Sequence, residues 1–173
     1  MHERADEMVD PRSLRNAMGR FATGVCVLTV NVGRELHGMT LNSLTSVSLH
    51  PPLILVCLAN GTRTERAVRA RGAFVINVLR YEQLDLANRF ARPGEDHFKD
   101  LAILWDERGL PLLPECLAYV MGRVEEIRAA GDHQIVIARV VGLKCGEGRP
   151  LLFFRGQYRE IGSGNVPAEY WYW

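Results

Sequence analysis

The chain has 173 residues, the length of one compact domain, and a chain of this size buries about 70% of its unfolded surface without help from disulfides or metal. Its 21 Lys and Arg against 20 Asp and Glu leave a formal net charge of +1 at pH 7, which excludes a globally basic nucleic-acid binder and an acidic disordered tail. No apolar run approaches the roughly 18 residues of a membrane span, and residues 1–10 are too polar and acidic for a secretory signal, so a cytoplasmic protein is expected.

The first predicted element is a helix. Asp10 offers an N-cap and Pro11 a first-turn residue, and Leu14, Ala17, Met18, Phe21 and Ala22 then form one apolar stripe that Gly24 stops. Residues 25–32 are rich in β-branched side chains and read as a strand, with Gly33 turning the chain back. From Gly38 to Leu49 nearly every second residue carries a hydroxyl or amide, and His50-Pro51-Pro52 ends the run. Residues 53–59 read as a short apolar strand. Thr62 or Thr64 caps a helix through Arg71, with Gly72 as its stop. Residues 73–79 read as a strand and 81–91 as a short helix with Leu84, Ala87 and Phe90 on one face. Residues 92–109 mix Pro, Gly and charge and read as a surface excursion. Two strands at 119–127 and 134–143 flank a Gly-containing connection, and short β pieces follow at 151–155 and 157–161. Strands that succeed one another directly predict a mainly β protein with flanking helices, an antiparallel barrel and not a βαβ sheet.

Familiar chemical signatures are missing. Gly146-Glu147-Gly148 lacks a third glycine and a following helix, so no dinucleotide fingerprint is present. Cys26, Cys57, Cys116 and Cys145 form no C-x-x-C pair. The five histidines, His2, His37, His50, His97 and His133, form no i, i+4 pair, and no metal site is expected.

Three segments hold the candidate chemistry. Thr40, Asn42, Ser43, Thr45, Ser46 and Ser48 put donors and acceptors on both faces of a strand; either the strand is an exposed edge, or it meets a polar partner such as a cofactor. Asn60-Gly61-Thr62-Arg63-Thr64 opens a helix, where N–H groups, a hydroxyl and a guanidinium suit a phosphate, unless Thr is only a cap and the Arg face only solvated. Gly131-Asp132-His133 sits at a hairpin mouth, where Asp132 can orient the ring toward an anionic ligand or His133 is simply a surface residue.

Taken together, the order and spacing of several segments resemble the flavin reductase family with an FMN-binding split barrel, in particular the reductase components of two-component flavin-dependent monooxygenases. The matching residues are Phe21-Ala22-Thr23-Gly24-Val25, the Gly38–Leu49 segment with Pro51-Pro52-Leu53, Phe74-Val75-Ile76-Asn77-Val78-Leu79, Phe90-Ala91, Gly131-Asp132-His133, and Pro150-Leu151-Leu152-Phe153-Phe154-Arg155-Gly156-Gln157-Tyr158. The resemblance covers about residues 11–162 of a single domain spanning 1–173, with 163–173 as a C-terminal tail. It implies an antiparallel split β-barrel in which Met39, Thr40, Leu41, Asn42 and Ser43 run alongside the isoalloxazine and ribityl chain. Cys57, Leu58 and Ala59 with Arg63 and Thr64 would line the rest of the site and its phosphate side, and Phe90 and Ala91 the outer part of the flavin. His133 would touch the nicotinamide nucleotide, with Tyr158 close by. Leu41, where a small residue is frequent, and Asn60-Gly61, in a variable loop, depart from the commonest pattern.

The implied activity is hydride transfer from NADH, in preference to NADPH, to FAD or to FMN, with diffusible reduced flavin passed to a partner monooxygenase. Such chemistry needs no protein nucleophile or acid–base dyad, because the flavin itself is the electron sink. Two other readings are a non-catalytic flavin-binding electron carrier on the same barrel, and an enzyme like pyridoxamine-phosphate oxidase. The carrier would need no nicotinamide-contacting Gly-Asp-His motif. The oxidase would need a basic cluster beyond the Arg63 region. A homodimer is implied by the family, and the aromatic tail Tyr170-Trp171-Tyr172-Trp173 would gain by packing on a partner.

Overall fold

The computed structural model describes residues 9–94 and 96–162. Among them the chain order is α1 (Pro11–Met18), β1 (Thr23–Gly24), β2 (Cys26–Val32), β3 (Glu35–Leu41), β4 (Thr45–Leu49), β5 (Pro52–Ala59) and α2 (Arg63–Arg71). It continues through β6 (Ala73–Val78), a 3-10 turn at Tyr81–Gln83, α3 (Leu84–Ala91), β7 (Leu104–Trp105) and β8 (Pro111–Leu112). The last third is β9 (Ala118–Ala130), β10 (His133–Cys145), β11 (Leu152–Phe154) and β12 (Gln157–Arg159). None of the three helices is long and apolar enough to cross a membrane.

Seven strands pair antiparallel in the order β3-β2-β6-β9-β10-β5-β4, and β1-β11-β12 form a smaller sheet beside them. The alternation of β6 explains how this sheet is covered on both faces. Phe74 and Ile76 join one apolar cluster with Leu28, Val56, Leu58 and the α2 residues Ala67 and Val68. Val75 joins the other with Leu110, Leu113, Leu151 and the α3 residues Ala87 and Phe90.

The polar stretch from Gly38 to Leu49 is not one strand. β3 and β4 lie at opposite ends of the sheet order, and residues 42–44 carry the chain from one edge to the other. Ser43 makes that crossing regular. Its hydroxyl accepts from the Cys57 N–H at 3.0 Å and donates to the Cys57 carbonyl at 3.3 Å, so a side chain carries the β4–β5 pairing two residues beyond the Thr45–Leu55 pair. Ser43→Ala leaves both groups of Cys57 unanswered and is expected to lower stability by about 1–2 kcal/mol, read as a shifted urea midpoint.

Two local expectations differ from the structure. The apolar stripe to Ala22 predicts a longer first helix, but α1 ends at Met18 because the chain must turn there to place Thr23 and Gly24 opposite Phe153 and Leu152. Asp10 does cap it, accepting the Ser13 N–H at 2.9 Å. None of α1 is buried, and Leu14, Met18 and Phe21 stay exposed. The connection between β9 and β10, read as six residues, is a two-residue turn of Gly131 (φ 62°) and Asp132, because both strands run further than their apolar centres.

Candidate functional site

The edge of the main sheet and two helix ends enclose a cavity of about 1030 Å³. β3 forms one wall, from Glu35 to Leu41 with Asn42 after it. As the last strand in the sheet order, β3 has a strand partner on one side only, so its other edge has backbone donors and acceptors outside the ladder.

The α2 N-terminus supplies Thr62, Arg63 and Thr64 to a second wall. Thr62 is the cap: its oxygen accepts the Glu65 N–H at 3.2 Å and its hydroxyl donates to the Ala59 carbonyl at 3.1 Å. Glu65 would place a buried negative charge in this first turn, but Arg69 binds its Oε1 through two N–H groups at 2.9 and 3.1 Å. With that carboxylate ion-paired, the positive end of the helix and the Arg63 guanidinium add positive charge to this wall, beside Arg92 and the carboxylates of Glu35 and Asp96 in the same lining.

The third wall is the end of α3 and the chain beyond it, including Phe90, Ala91, Arg92, His97 and Phe98. Phe90 is buried, edge-on to Phe98 at 5.0 Å and tilted on His97 at 5.3 Å. It can lie this close to β3 only because residue 38 is glycine: a Cβ there would come within 2.8 Å of the ring and 3.0 Å of the Leu28 carbonyl. Thr40 Oγ1 adds a 2.7 Å bond to the Ala87 carbonyl, so its hydroxyl proton is committed to α3. Phe153 and Tyr158 complete the lining as an edge-on pair at 5.6 Å, and burial pushes the Tyr158 phenol upward.

The cavity thus brings together Met39, Thr40, Leu41, Asn42, Arg63, Thr64, Phe90, Ala91 and Tyr158. Ser43, Cys57, Leu58, Ala59 and His133 lie outside its lining. Leu58 is fully buried in the core, and both backbone groups of Cys57 face the Ser43 hydroxyl. His133 pairs with Ala59 at the start of β10, half-exposed, its Nδ1 2.7 Å from the Asp132 carboxylate. That hydrogen bond holds the Asp132 carboxyl below the usual carboxylate range.

Sequence reasoning did not anticipate His37, Phe98 and Phe153 in the lining, nor a cavity wall from the stretch after α3. The available signal was the His97-Phe98 pair, an aromatic couple inside a segment otherwise made of Pro, Gly and charge. Burial pushes the Cys26 thiol up to about 12 and Cys116 up to about 11, so both are protonated, apolar fillers at neutral pH. Among the described residues no cluster of His, Cys, Asp or Glu is arranged to hold a metal ion.

Residues 18–162 match the flavin reductase like domain. A probable flavin reductase of Rhizobium meliloti (strain 1021) is 43% identical over 154 residues, 88% of this chain, although the chain spans only 49% of that relative. The reductase component of a 4-nitrophenol 4-monooxygenase/4-nitrocatechol 2-monooxygenase from Rhodococcus opacus is 37% identical over 91% of this chain and 85% of its own length. Among solved structures, a Streptomyces globisporus NADH:FAD oxidoreductase in complex with NAD and FAD fragments superposes with a TM-score of 0.84 at 34% identity, covering 91% of this chain and 98% of that one. A match across nearly all of the described barrel, from the last residue of α1 through the Phe153–Tyr158 pair, makes this chain a member of the flavin reductase family.

Proposed function

We propose that the protein is an NAD(P)H:flavin oxidoreductase that passes hydride from NADH to FAD, accepts FMN as a second flavin, and releases the reduced flavin to a separate monooxygenase. The observation that carries this reading is the cavity itself. It sets a half-free strand edge at Met39–Asn42 across from a phosphate-suited helix start at Thr62–Thr64. A flat ring with one polar edge and a phosphorylated side chain matches that pair of walls. The printed names of the Rhodococcus and Streptomyces proteins, a monooxygenase reductase component and an NADH:FAD oxidoreductase, support the same assignment.

When bound, the flavin supplies the electron sink for hydride from nicotinamide. The chain's own groups bind and orient. The backbone of residues 39–42 meets the polar edge of the ring, and Arg63 with Thr64 meets phosphate. Phe90 and Ala91 close the outer side, and Phe153 and Tyr158 exclude water near the reacting face. His133, outside the cavity lining, would contact the nicotinamide nucleotide, and Ser43, Cys57, Leu58 and Ala59 support the neighbouring strands. Steady-state oxidation of NADH and NADPH, each with FAD, FMN and riboflavin, tests the proposal. Fastest turnover with NADH and FAD is expected. A protein that holds stoichiometric flavin through dialysis and oxidises neither nucleotide would be the electron carrier instead.

The assembly proposed is a cytoplasmic homodimer. Leu14, Met18 and Phe21 on the first helix and turn, with Val47 and Leu49 on edge strand β4, are large apolar side chains left exposed on one copy. The aromatic residues 170–173 lie outside the described residues. Light scattering at micromolar concentration is expected to return twice the 19.5 kDa chain mass, and a monomer would overturn the dimer.

A further inference from the structure

Asn60 lies between Ala59, at the end of β5, and the α2 N-terminus, and three of its polar groups bond to the β9–β10 turn and the start of β10. Its backbone N–H donates to the Asp132 carbonyl at 3.0 Å. Its Nδ2 donates to the Gly131 carbonyl at 3.1 Å, and its Oδ1 accepts from Gln134 Nε2 at 2.8 Å. Three bonds from one residue therefore bracket His133 on both sides in sequence. The residue after it, Gly61, turns the chain at φ 72° into the Thr62 cap, whose hydroxyl returns to Ala59. Ala59 in turn is the ladder partner of His133. The hairpin tip and the α2 N-terminus are thus tied to each other, and Asn60 joins them.

We infer that Asn60 is a positioning residue for the nicotinamide nucleotide: it fixes His133 relative to the Arg63–Thr64 helix start, without itself touching either nucleotide. Without the Asn60 side chain the exposed turn would be held by backbone bonds alone, and the His133 imidazole would sample more positions relative to the helix start. The hairpin body is held by the long β9–β10 pairing regardless of Asn60, so the fold does not depend on the staple. The cost of losing it falls on the placement of one side chain.

The inference rests on the proposed role of His133, so the test separates the two. Asn60→Ala, His133→Ala and the double variant are compared for KM and kcat with NADH, for FAD binding by fluorescence quenching, and for melting temperature. Asn60→Ala is expected to raise KM for NADH about five- to tenfold, the scale of one or two modest hydrogen bonds. The FAD Kd should change less than twofold, and the double variant should be no worse than His133→Ala alone. Additive losses in the double variant, or an unchanged KM for Asn60→Ala beside a raised one for His133→Ala, would overturn the positioning role while leaving the reductase reading intact. An unchanged KM for His133→Ala overturns both the nicotinamide contact and the role of Asn60. Should Asn60→Ala fail to fold, Gln134→Met removes only the 2.8 Å bond and must still raise KM for NADH about twofold; no rise there would sink the inference.

Discussion

Replacing Asn77 with leucine is expected to destabilise the protein by about 3–5 kcal/mol, the largest loss from any polar substitution in the barrel. Asn77 is fully buried on β6, a strand whose other residues are all apolar. Its Nδ2 donates to the Val27 carbonyl and to Thr29 Oγ1, both at 2.9 Å, and its Oδ1 accepts the Leu113 N–H at 2.9 Å. Thr29, equally buried, passes its own proton to the Pro111 carbonyl at 2.5 Å. The network ties β2 and β6 to the chain at Pro111–Leu113, which has little regular structure of its own. Leucine branches at the same carbon and is no smaller than asparagine, so the cost is not a cavity. It is an orphaned buried N–H at Leu113, with the Val27 carbonyl and the Thr29 oxygen stripped of a donor in the fully buried core. Urea unfolding should show the midpoint shift. A loss below about 1 kcal/mol would mean that the Leu113 segment re-pairs elsewhere.

Arg63→Ala is expected to weaken FAD binding about 10- to 100-fold, through loss of one charge-assisted contact to phosphate of about 1.5–3 kcal/mol. The placement of Arg63 comes from its helix. Gly61 allows the sharp entry, Thr62 caps the first turn, and the Arg69 guanidinium removes the repulsion that Glu65 would otherwise exert on an anion. Riboflavin, which has no phosphate, should bind the variant within about twofold of the parent. The side chain belongs to a cavity wall and not to either apolar cluster, so a melting curve of the variant separates lost binding from lost stability. Isothermal titration with both flavins decides it: equal losses for FAD and riboflavin would remove phosphate from the role of Arg63.

Both variants separate what was readable in the chain from what was not. The helix start at Thr62 or Thr64 and the stop at Gly72 were legible, since a capping hydroxyl and a left-handed stop act within one turn of helix and leave a local mark; the structure selects Thr62. Asn77 was not. Within residues 73–79 it reads as a single polar interruption of an apolar strand, and its three partners lie 36 to 50 residues away. The polar stretch from Thr40 to Ser48 is the intermediate case. Its hydroxyls called for partners, and the protein itself provides several of them, with Thr40 bound to Ala87 and Ser43 to Cys57.

By itself the sequence determined the mainly antiparallel β architecture, a cap at Thr62 or Thr64 with the α2 stop at Gly72, and the hairpin near residue 131, because strand periodicity, capping and turn chemistry are encoded within a few neighbouring residues; the family came from the resemblance of its ordered motifs. Tertiary structure alone decided that the polar segment crosses between the two sheet edges and that Gly38 admits the Phe90 ring. It also decided that the chain after α3 becomes a cavity wall, and that His133 is tied to the helix start through Asn60. Each of these depends on which distant segments meet. Side-chain alternation on an edge strand states only that one side is polar, and only the packed chain selects whether that polarity answers a ligand, a helix carbonyl or a neighbouring strand.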